Sequence, residues 1–371
     1  MRVLICGGGV IGASIAYFLS HRGIPPIVIE RTGVACAASG KSGGFLALDW
    51  CDCSPLAPLA RRSFALHAAL AEELLGDWGY RRLTTYSGYG GAHGVTGRGA
   101  ARPVAWLAED VFIDRRIGVA ETTAQVHPGA FTAVLMRAAQ AQGAELRIGE
   151  VTGLAMSAGG HVAGVIVNNE TIEGDAVVIA MGPWSVLASR WLPLPAVFGL
   201  KGHSLVFETG RAIAAEALFL EYQEASGALL SPEVFPRADG TTYVCAISSE
   251  APLPIDPAAV APDPGASERL HDICRRLSPA LGRANVLARQ ACFRPVTEDG
   301  RPLIGAIPSV PGAYVATGHS VWGILNAPAT GEAMAELIAD GTSRIDLAAF
   351  SPARLPPLDP ARLRAAEHSP Q

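Results

Sequence analysis

Residues 3–12 read VLICGGGVIG, and this stretch decides the fold. The four apolar residues before Gly7 predict a short buried strand, and apolar residues then recur at helical spacing from Ile11 to Leu19. Residues 27–30, IVIE, predict the next strand. A strand, a glycine turn, a helix and a second strand within about thirty residues is the order that a parallel βαβ unit requires.

The glycines of this turn predict a dinucleotide-binding site. Gly7, Gly9 and Gly12 form the pattern G-x-G-x-x-G between a strand and a helix. Gly7 allows the tight turn, Gly9 lets the backbone approach a pyrophosphate, and Gly12 permits close helix packing. Glu30, at the end of the second strand, is placed to accept hydrogen bonds from an adenosine ribose. The pattern alone leaves NAD and FAD both open.

Composition limits the remaining function classes. The 371 residues suit two domains, and 49% hydrophobic with 17% charged residues excludes a disordered chain. A net charge of −5 without a basic cluster argues against a nucleic-acid partner. The apolar stretch that ends at Leu19 is too short and too glycine-rich to span a membrane.

The cysteines indicate a reducing compartment. Their number, seven, is odd, and Cys51 and Cys53 are followed by no second ligand pair at a zinc-site spacing. We therefore predict a cytoplasmic protein without a membrane span and without a metal.

Further elements follow from periodicity and turn residues. The pattern predicts helices over 55–75 and 128–142, short strands over 145–180 with a turn at Asn168-Asn169, a hairpin over 234–244 with its turn at Asp239-Gly240, a surface loop over 251–265, and a last helix from Pro328 to Asp340.

Five segments in this order resemble the FAD-dependent superfamily of D-amino-acid oxidase, glycine oxidase and sarcosine oxidase. The first is the glycine turn. The others are AASGKSGG at 37–44, GPWS at 182–185, the segment 293–305, and the stretch from ATGH at 316 to Gly331. The segment 293–305 begins with FRP and contains Thr297, Asp299 and Gly300.

The resemblance implies an α/β fold (α+β overall) with a Rossmann-like FAD-binding domain and a discontinuous antiparallel-sheet substrate domain. The FAD-binding domain would comprise 1–85, 129–190 and 292–371, and the substrate domain 86–128 and 191–291. The last helix would direct its N-terminus, near Asn326 to Ala329, at the flavin.

FAD is the implied cofactor, bound without a covalent link. Cys292 falls where sarcosine-oxidase-like members carry a cysteine bonded to flavin, so a covalent link there is the alternative. The implied FAD-binding residues are Gly7, Gly9, Val10, Ile11, Gly12, Glu30, Arg31, Ala38, Ser39, Ser42, Gly43, Gly44, Val151, Gly182, Trp184, Gly318, Gly323 and Ile324.

The implied catalytic residues are Arg294, His319 and Tyr243. In glycine-oxidase-like members the arginine that matches Arg294 grips the substrate carboxylate, as a planar guanidinium can do with two parallel hydrogen bonds. His319 would hydrogen-bond the flavin or the substrate, and Tyr243 and Tyr222 are candidates for the pocket wall. Lys201 is interpreted as a positional residue rather than one that activates oxygen.

The resemblance implies an FAD-dependent oxidoreductase that oxidises the C–N bond of an amino acid or secondary amine. A hydride would pass to flavin N5 and leave an imine, and the electrons would pass on to oxygen or another acceptor. Glycine-oxidase-like members often have a second cation just after His319, where this chain reads Ser320-Val321-Trp322.

Two alternatives stay open. Residues 35–50 and 201–204 look closer to a branch of FAD oxidoreductases found in fungi and plants, of which one fungal member is linked to endosomal trafficking. A flavoprotein with a mainly regulatory or trafficking function and weak catalysis is therefore one alternative. A nicotinamide-dependent dehydrogenase, supported by the glycine turn alone, is the other.

Overall fold

A computed structural model describes residues 1–92 and 103–367. Two segments of the predicted domains, 86–128 and 292–371, extend outside the described residues, at 93–102 and 368–371. The strands are β1 Val3–Cys6, β2 Ile27–Glu30, β3 Phe45–Ala47, β4 Arg81–Arg82, β5 Thr84–Gly91, β6 Phe112–Gly118, β7 Thr123–Gln125, β8 Glu145–Ile148, β9 Val151–Met156, β10 Val162–Val167, β11 Glu170–Glu173, β12 Ala176–Ile179, β13 Val197–Glu208, β14 Glu216–Gln223, β15 Leu229–Leu230, β16 Glu233–Pro236, β17 Thr241–Ser249, β18 Asn285–Thr297, β19 Leu303–Ala306 and β20 Ala313–Thr317. The α-helices are α1 Val10–His21, α2 Ala57–Glu73, α3 Pro128–Ala141, α4 Ala266–Leu277, α5 Pro279–Arg283, α6 Gly323–Asp340 and α7 Pro360–Glu367.

A six-stranded sheet in the order β19-β20-β12-β1-β2-β8 forms the nucleotide-binding half. Its strands are parallel except β19, which runs antiparallel to β20. Strands β1, β2 and β12 are buried along their whole length, as expected for parallel strands covered on both faces. Residues of α1, α2, α3 and α6 share one hydrophobic core with this sheet, and residues of the β9–β11 sheet share the core on its other face. The predicted βαβ unit is confirmed.

A larger sheet in the order β18-β13-β17-β16-β14-β5-β6, with β15 beside β14, forms the second half. Its neighbouring strands are antiparallel, as the resemblance implies, with one exception: β5 and β14 run parallel. Helices α4 and α5 share a hydrophobic core with one face. Strand β18 pairs with β13 along its whole length, so the predicted domain boundary at residue 292 falls inside a strand of this sheet. The domain limits stay a prediction.

Both predicted strand turns are confirmed. Asn168 and Asn169 join β10 to β11 with φ of 50° and 68°, a left-handed conformation that asparagine tolerates better than most residues. Strands β16 and β17 form the predicted hairpin, and Gly240 in its turn has φ of 82°. Turn chemistry therefore located these connections correctly.

The last helix starts earlier than predicted. The pattern placed its first residue at Pro328, because proline is favoured in the first turn of a helix. The structure begins α6 at Gly323, so Pro328 lies inside the helix and the segment near Asn326 to Ala329 is buried helix interior. The predicted end is confirmed, since Gly341 follows Asp340 with φ of 76°.

Helix α2 makes this internal proline tolerable. Pro328 has no N–H to donate to the carbonyl of Ile324, four residues earlier. His67 Nε2 lies 3.0 Å from that carbonyl oxygen instead. The N–H of Ala329 donates to Ser63 Oγ at 3.0 Å. Two side chains one helical turn apart on α2 thus form hydrogen bonds with the backbone groups on either side of the proline. The sequence around Pro328 does not reveal this contact.

Candidate active site

A cavity of about 650 Å³ lies at the junction of the two sheets. Its wall combines the turn after β1, residues 35–43, the end of β12 with the following residues 180–187, the start of α6, and one face of the larger sheet. Clefts and cavities of this size, with mainly apolar walls and a few polar groups, are typical of cofactor and substrate sites.

The cavity brings together most of the residues predicted to bind FAD. Those that line it are Gly7, Gly9, Val10, Ile11, Glu30, Arg31, Ala38, Ser39, Ser42, Gly43, Val151, Gly182, Trp184, Gly323 and Ile324. Gly12, Gly44 and Gly318 are not among its lining residues. A Cβ at Gly44 would lie 2.0 Å from Val126 O, and one at Gly318 would lie 2.7 Å from Thr297 Cγ2, so close packing behind the wall accounts for both glycines.

The three glycines of the turn differ in what requires them. Gly7 has φ of +115°, and a Cβ there would lie 2.3 Å from Ala180 O. A Cβ at Gly12 would lie 2.0 Å from Gly7 O. Gly9 has an ordinary φ of −74°, and a Cβ there would meet only Ser39 Oγ, at 3.2 Å. The protein itself therefore requires Gly7 and Gly12, whereas Gly9 chiefly keeps the cavity open in front of α1.

The end of the cavity beside β2 is polar. Glu30 Oε2 accepts a hydrogen bond from the N–H of Gly8 at 2.6 Å, and its Oε1 accepts one from the N–H of Thr32 at 2.9 Å. Arg31 Nη1 lies 3.2 Å from Glu150 Oε1 beside it. These bonds fix the Glu30 carboxylate in place, as recognition of a ribose hydroxyl requires.

The residues present fit a bound FAD. The N-terminus of α1 faces the cavity, and its unpaired N–H groups and dipole favour phosphate. Val10 N–H donates to Ser39 Oγ at 2.9 Å, which ties residues 38–40 to this helix end. Ser42 Oγ, on the cavity wall, is buried and has no hydrogen-bond partner among the described residues. A polar ligand would satisfy that hydroxyl.

Arg294 extends into the cavity from β18. Its Nη2 donates to Ser248 Oγ on β17 at 2.5 Å. Its Nε is buried and lacks a hydrogen-bond partner within the part of the chain that the structure describes. A guanidinium that lines a cavity with donors unused is suited to bind a carboxylate.

His319 is neutral in the folded protein. It is 3% exposed, and burial lowers its pKa to about 3. Its Nε2 shares a hydrogen bond of 3.1 Å with Thr330 Oγ1 on α6, and no described residue partners its Nδ1. His319 Nδ1 can therefore donate or accept one further hydrogen bond, but the side chain is not an acid near neutral pH.

The two tyrosines lie on opposite faces of the larger sheet. Tyr243 lines the cavity, stacks on Phe235 at 6.1 Å between ring centroids, and has its pKa raised by burial. Tyr222 lies in the core shared with α4, so it forms no part of the cavity wall. The prediction of Tyr222 as a wall residue is wrong, because its strand position directs it to the helix-covered face.

Lys201 is held by an acid in the predicted surface loop. Its Nζ lies 2.5 Å from Asp263 Oδ1, and Ser249 Oγ donates to the other oxygen of Asp263 at 2.5 Å. Lys201 is not among the cavity-lining residues. Lys201 thus fastens the 251–265 loop to the sheet. This agrees with its interpretation as a positional residue.

Part of the cavity wall was not predicted from the sequence. Glu233, Cys245 and Ser248 line the cavity near Arg294 from β16 and β17. The predicted hairpin over 234–244 stops one residue short of both Glu233 and Cys245, and which face of the hairpin would meet Arg294 depends on its register with β13 and β18. That register is a long-range property of the fold.

Metal-ligand clusters and membrane-spanning helices are both lacking in residues 1–92 and 103–367. In this part of the chain, no group of three His, Cys, Asp or Glu side chains could hold a metal ion. The helices in the same ranges include none with the length and apolar character needed to cross a bilayer.

Comparisons with known proteins show the family of this chain. A glycine oxidase of Geobacillus kaustophilus is 31% identical, over 94% of this chain and 96% of its own. The protein named "Putative oxidoreductase C1F5.03c" of Schizosaccharomyces pombe is 29% identical, over 93% of this chain and 97% of its own. The crystal structure of glycine oxidase from Bacillus cereus has a TM-score of 0.78 at 25% identity, covering 93% of this chain and 98% of that one. The family model described as FAD dependent oxidoreductase matches residues 2–337, and the chain therefore belongs to this DAO family of FAD-dependent oxidoreductases.

Proposed function

We propose that this oxidoreductase removes a hydride from the carbon beside the nitrogen of an amino acid or secondary amine and yields an imine. When bound, FAD would supply the N5 atom that accepts the hydride and the means by which the electrons reach oxygen or another acceptor. Water then hydrolyses the released imine. The FAD-binding residues predicted from the sequence are part of this proposal, with the pyrophosphate at Gly9 to Ile11 and the ribose at Glu30.

Arg294 carries the proposal. Its guanidinium faces the cavity, and its bond to Ser248 Oγ uses only Nη2. A substrate carboxylate would take the remaining donors in a bidentate pair, which fixes the orientation of the carbon beside it. Orientation of the reacting carbon is the main service that a protein provides to a flavin reaction.

His319 and Tyr243 would complete the substrate wall without proton chemistry. Burial lowers the pKa of His319 to about 3 and raises the pKa of Tyr243, so both are uncharged near pH 7. Hydride can leave a carbon that bears a neutral amine, so the reaction needs no strong base. These two side chains would hydrogen-bond, pack and exclude water.

An anaerobic screen tests the proposal. The purified holoprotein is mixed with amino acids, N-alkyl amino acids and simple amines, and loss of the oxidised flavin absorption band is followed without any assumption about the acceptor. We expect bleaching by members of the first two groups. A flavin that no compound bleaches would instead favour the regulatory or trafficking alternative.

A cytoplasmic location belongs to the same proposal. All seven cysteines are free thiols, as a reducing compartment would keep them. Fractionation of cells that express the tagged chain tests this, and recovery outside the cytoplasmic fraction would contradict it.

A further inference from the structure

A carboxylate that the proposed reaction does not use lies at the Arg294 end of the cavity. Glu233 begins β16, where the strand register places it opposite Cys245 of β17. Cys245 Sγ lies 3.5 Å from Glu233 Oε2 and donates to it. Glu233, Cys245 and Arg294 all line the same cavity.

Sheet geometry brings the positive charge of Arg294 toward this carboxylate. Arg294 is on β18, with β13 and β17 between it and β16. The Arg294 side chain passes over Gly202 of β13, where a Cβ would be in ordinary van der Waals contact with it, 3.7 Å from Nη2. The guanidinium therefore reaches Ser248 on β17, the strand next to Glu233. Its charge acts on Glu233 and opposes part of the pKa rise that burial causes there.

Glu233 lacks a cation of its own. Among the described residues no Lys, Arg or His side chain forms an ion pair with it, and the Cys245 thiol is its one side-chain hydrogen-bond donor. A thiol is a weak donor, so this contact compensates poorly for the lost hydration of a carboxylate. Enclosed carboxylates are normally paired, and the cavity is where the missing partner would fit.

We propose that Glu233 binds the cationic amino group of the substrate while Arg294 binds its carboxylate. This inference rests on the proposed function and narrows its substrate class to amino acids that bind as zwitterions and carry a primary or an N-alkylated amino group. The bound ammonium gives one proton to the Glu233 carboxylate before the hydride leaves, so the amine that reacts is neutral. Compounds that carry only one of the two charges leave either Glu233 or Arg294 unpaired in the cavity, and the site discriminates against them for that reason.

Ligand binding to the oxidised holoprotein tests this without turnover. The probes are three matched compounds that differ in one charge each: an N,N-dimethylated amino acid, the carboxylic acid that lacks its amino group, and the amine that lacks its carboxylate. Binding is read from perturbation of the flavin spectrum. Glu233→Gln keeps the size of the side chain and removes its charge. The matched control is Glu221→Gln, which removes the same charge from an exposed position of the same sheet.

We expect Glu233→Gln to weaken binding of the zwitterion by about tenfold to a hundredfold, the effect of one charge-assisted hydrogen bond. Binding of the carboxylic acid should stay unchanged or improve, since a neighbouring negative charge is removed. Glu221→Gln should leave all three affinities unchanged. Glu233→Asp, which keeps the charge, should retain part of the preference for the zwitterion, and it serves as the test if the glutamine variant does not load FAD.

Equal affinity changes for the zwitterion and the carboxylic acid in Glu233→Gln would overturn the inference. If amino acids also bleach the wild-type flavin in that case, the proposed function stands and only Glu233 is misassigned. If the zwitterion binds with the expected dependence on Glu233 but nothing bleaches the flavin, the binding inference holds and the proposed reaction fails. A wild-type protein that binds none of the three probes overturns both.

Discussion

At the scale of single residues, Arg294 offers the most direct test of substrate class. Arg294→Ala should leave FAD binding nearly intact and lower kcat/KM for carboxylate substrates by about two to four orders of magnitude, because each lost charge-assisted hydrogen bond is worth roughly 1.5–3 kcal/mol. Arg294→Lys should restore only part of this loss, since an ammonium cannot reproduce the planar fork. Steady-state kinetics on acids and on simple amines measures both effects.

The amines are the internal control for Arg294. They present no carboxylate, so their weaker turnover should change far less in Arg294→Ala. Equal losses for acids and amines would mean that Arg294 supports the fold or the flavin. The assignment of amino acids as substrates would then lose its main support.

Gly9 offers a matching test of the cofactor site. Gly9→Val should abolish FAD loading while the protein still folds, because the backbone at Gly9 has an ordinary φ of −74° and the new side chain projects toward the cavity. Gly9→Ala should load FAD to an intermediate extent. Flavin absorbance per polypeptide gives the loading, and circular dichroism verifies folding. Full occupancy in Gly9→Val would place the cofactor elsewhere.

At the scale of elements, the contact between α2 and α6 makes stability depend on pH. Burial lowers the pKa of His67 from its ordinary 6.5 to about 4. The His67 imidazole therefore binds a proton less readily in the folded state than in the unfolded state. The contribution of neutral His67 to the free energy of unfolding is fully present above pH 6.5 and is lost as the pH falls toward 4. The full loss from this group is roughly 3 kcal/mol at about 1.4 kcal/mol per pKa unit.

Urea unfolding between pH 7 and 4 measures this loss in wild type and in His67→Gln. We expect the variant to be less stable at pH 7 and to lose less stability on acidification. His161→Gln, at an exposed histidine, is the matched control and should behave as wild type. The same pH dependence in wild type and His67→Gln would contradict the assignment to His67.

The same contact shows what local sequence could predict about the elements. The βαβ unit, the Asn168-Asn169 turn and the hairpin at Gly240 followed from patterns within a few residues, and the structure confirms them. The start of α6 did not, because Pro328 is normally a first-turn residue. Its accommodation depends on His67, which is distant in sequence.

The candidate site divides in the same way. The glycine turn and Arg294 stand in recognisable motifs, so the sequence located them. Glu233 and Ser248 face Arg294 only because β13 and β17 separate β16 from β18 in this register. Strand order across a sheet arises from the whole fold, and a single sequence contains no local signal for it.

At the scale of the whole molecule, the cavity joins the two sheets. The glycine turn and the start of α6 belong to the six-stranded sheet with its helices, whereas Arg294, Tyr243 and Cys292 belong to the larger sheet. A cofactor bound between them contacts both halves and stabilises the folded state by mass action. We therefore expect release of FAD and unfolding of both halves to occur in one transition.

This arrangement argues against a covalent flavin. Cys292 lies on the cavity wall, but burial raises the pKa of its thiol, an effect that the positive charges of Arg294 and Lys41 only oppose. The thiolate is the nucleophilic form of cysteine, so this environment disfavours bond formation to the flavin ring. We expect acid precipitation of the holoprotein to release intact FAD into the supernatant, measured by its absorption and by chromatography. Cys292→Ala should load and release FAD as wild type does. Yellow colour that stays with the washed wild-type precipitate and is absent from that of Cys292→Ala would establish a covalent link at this cysteine.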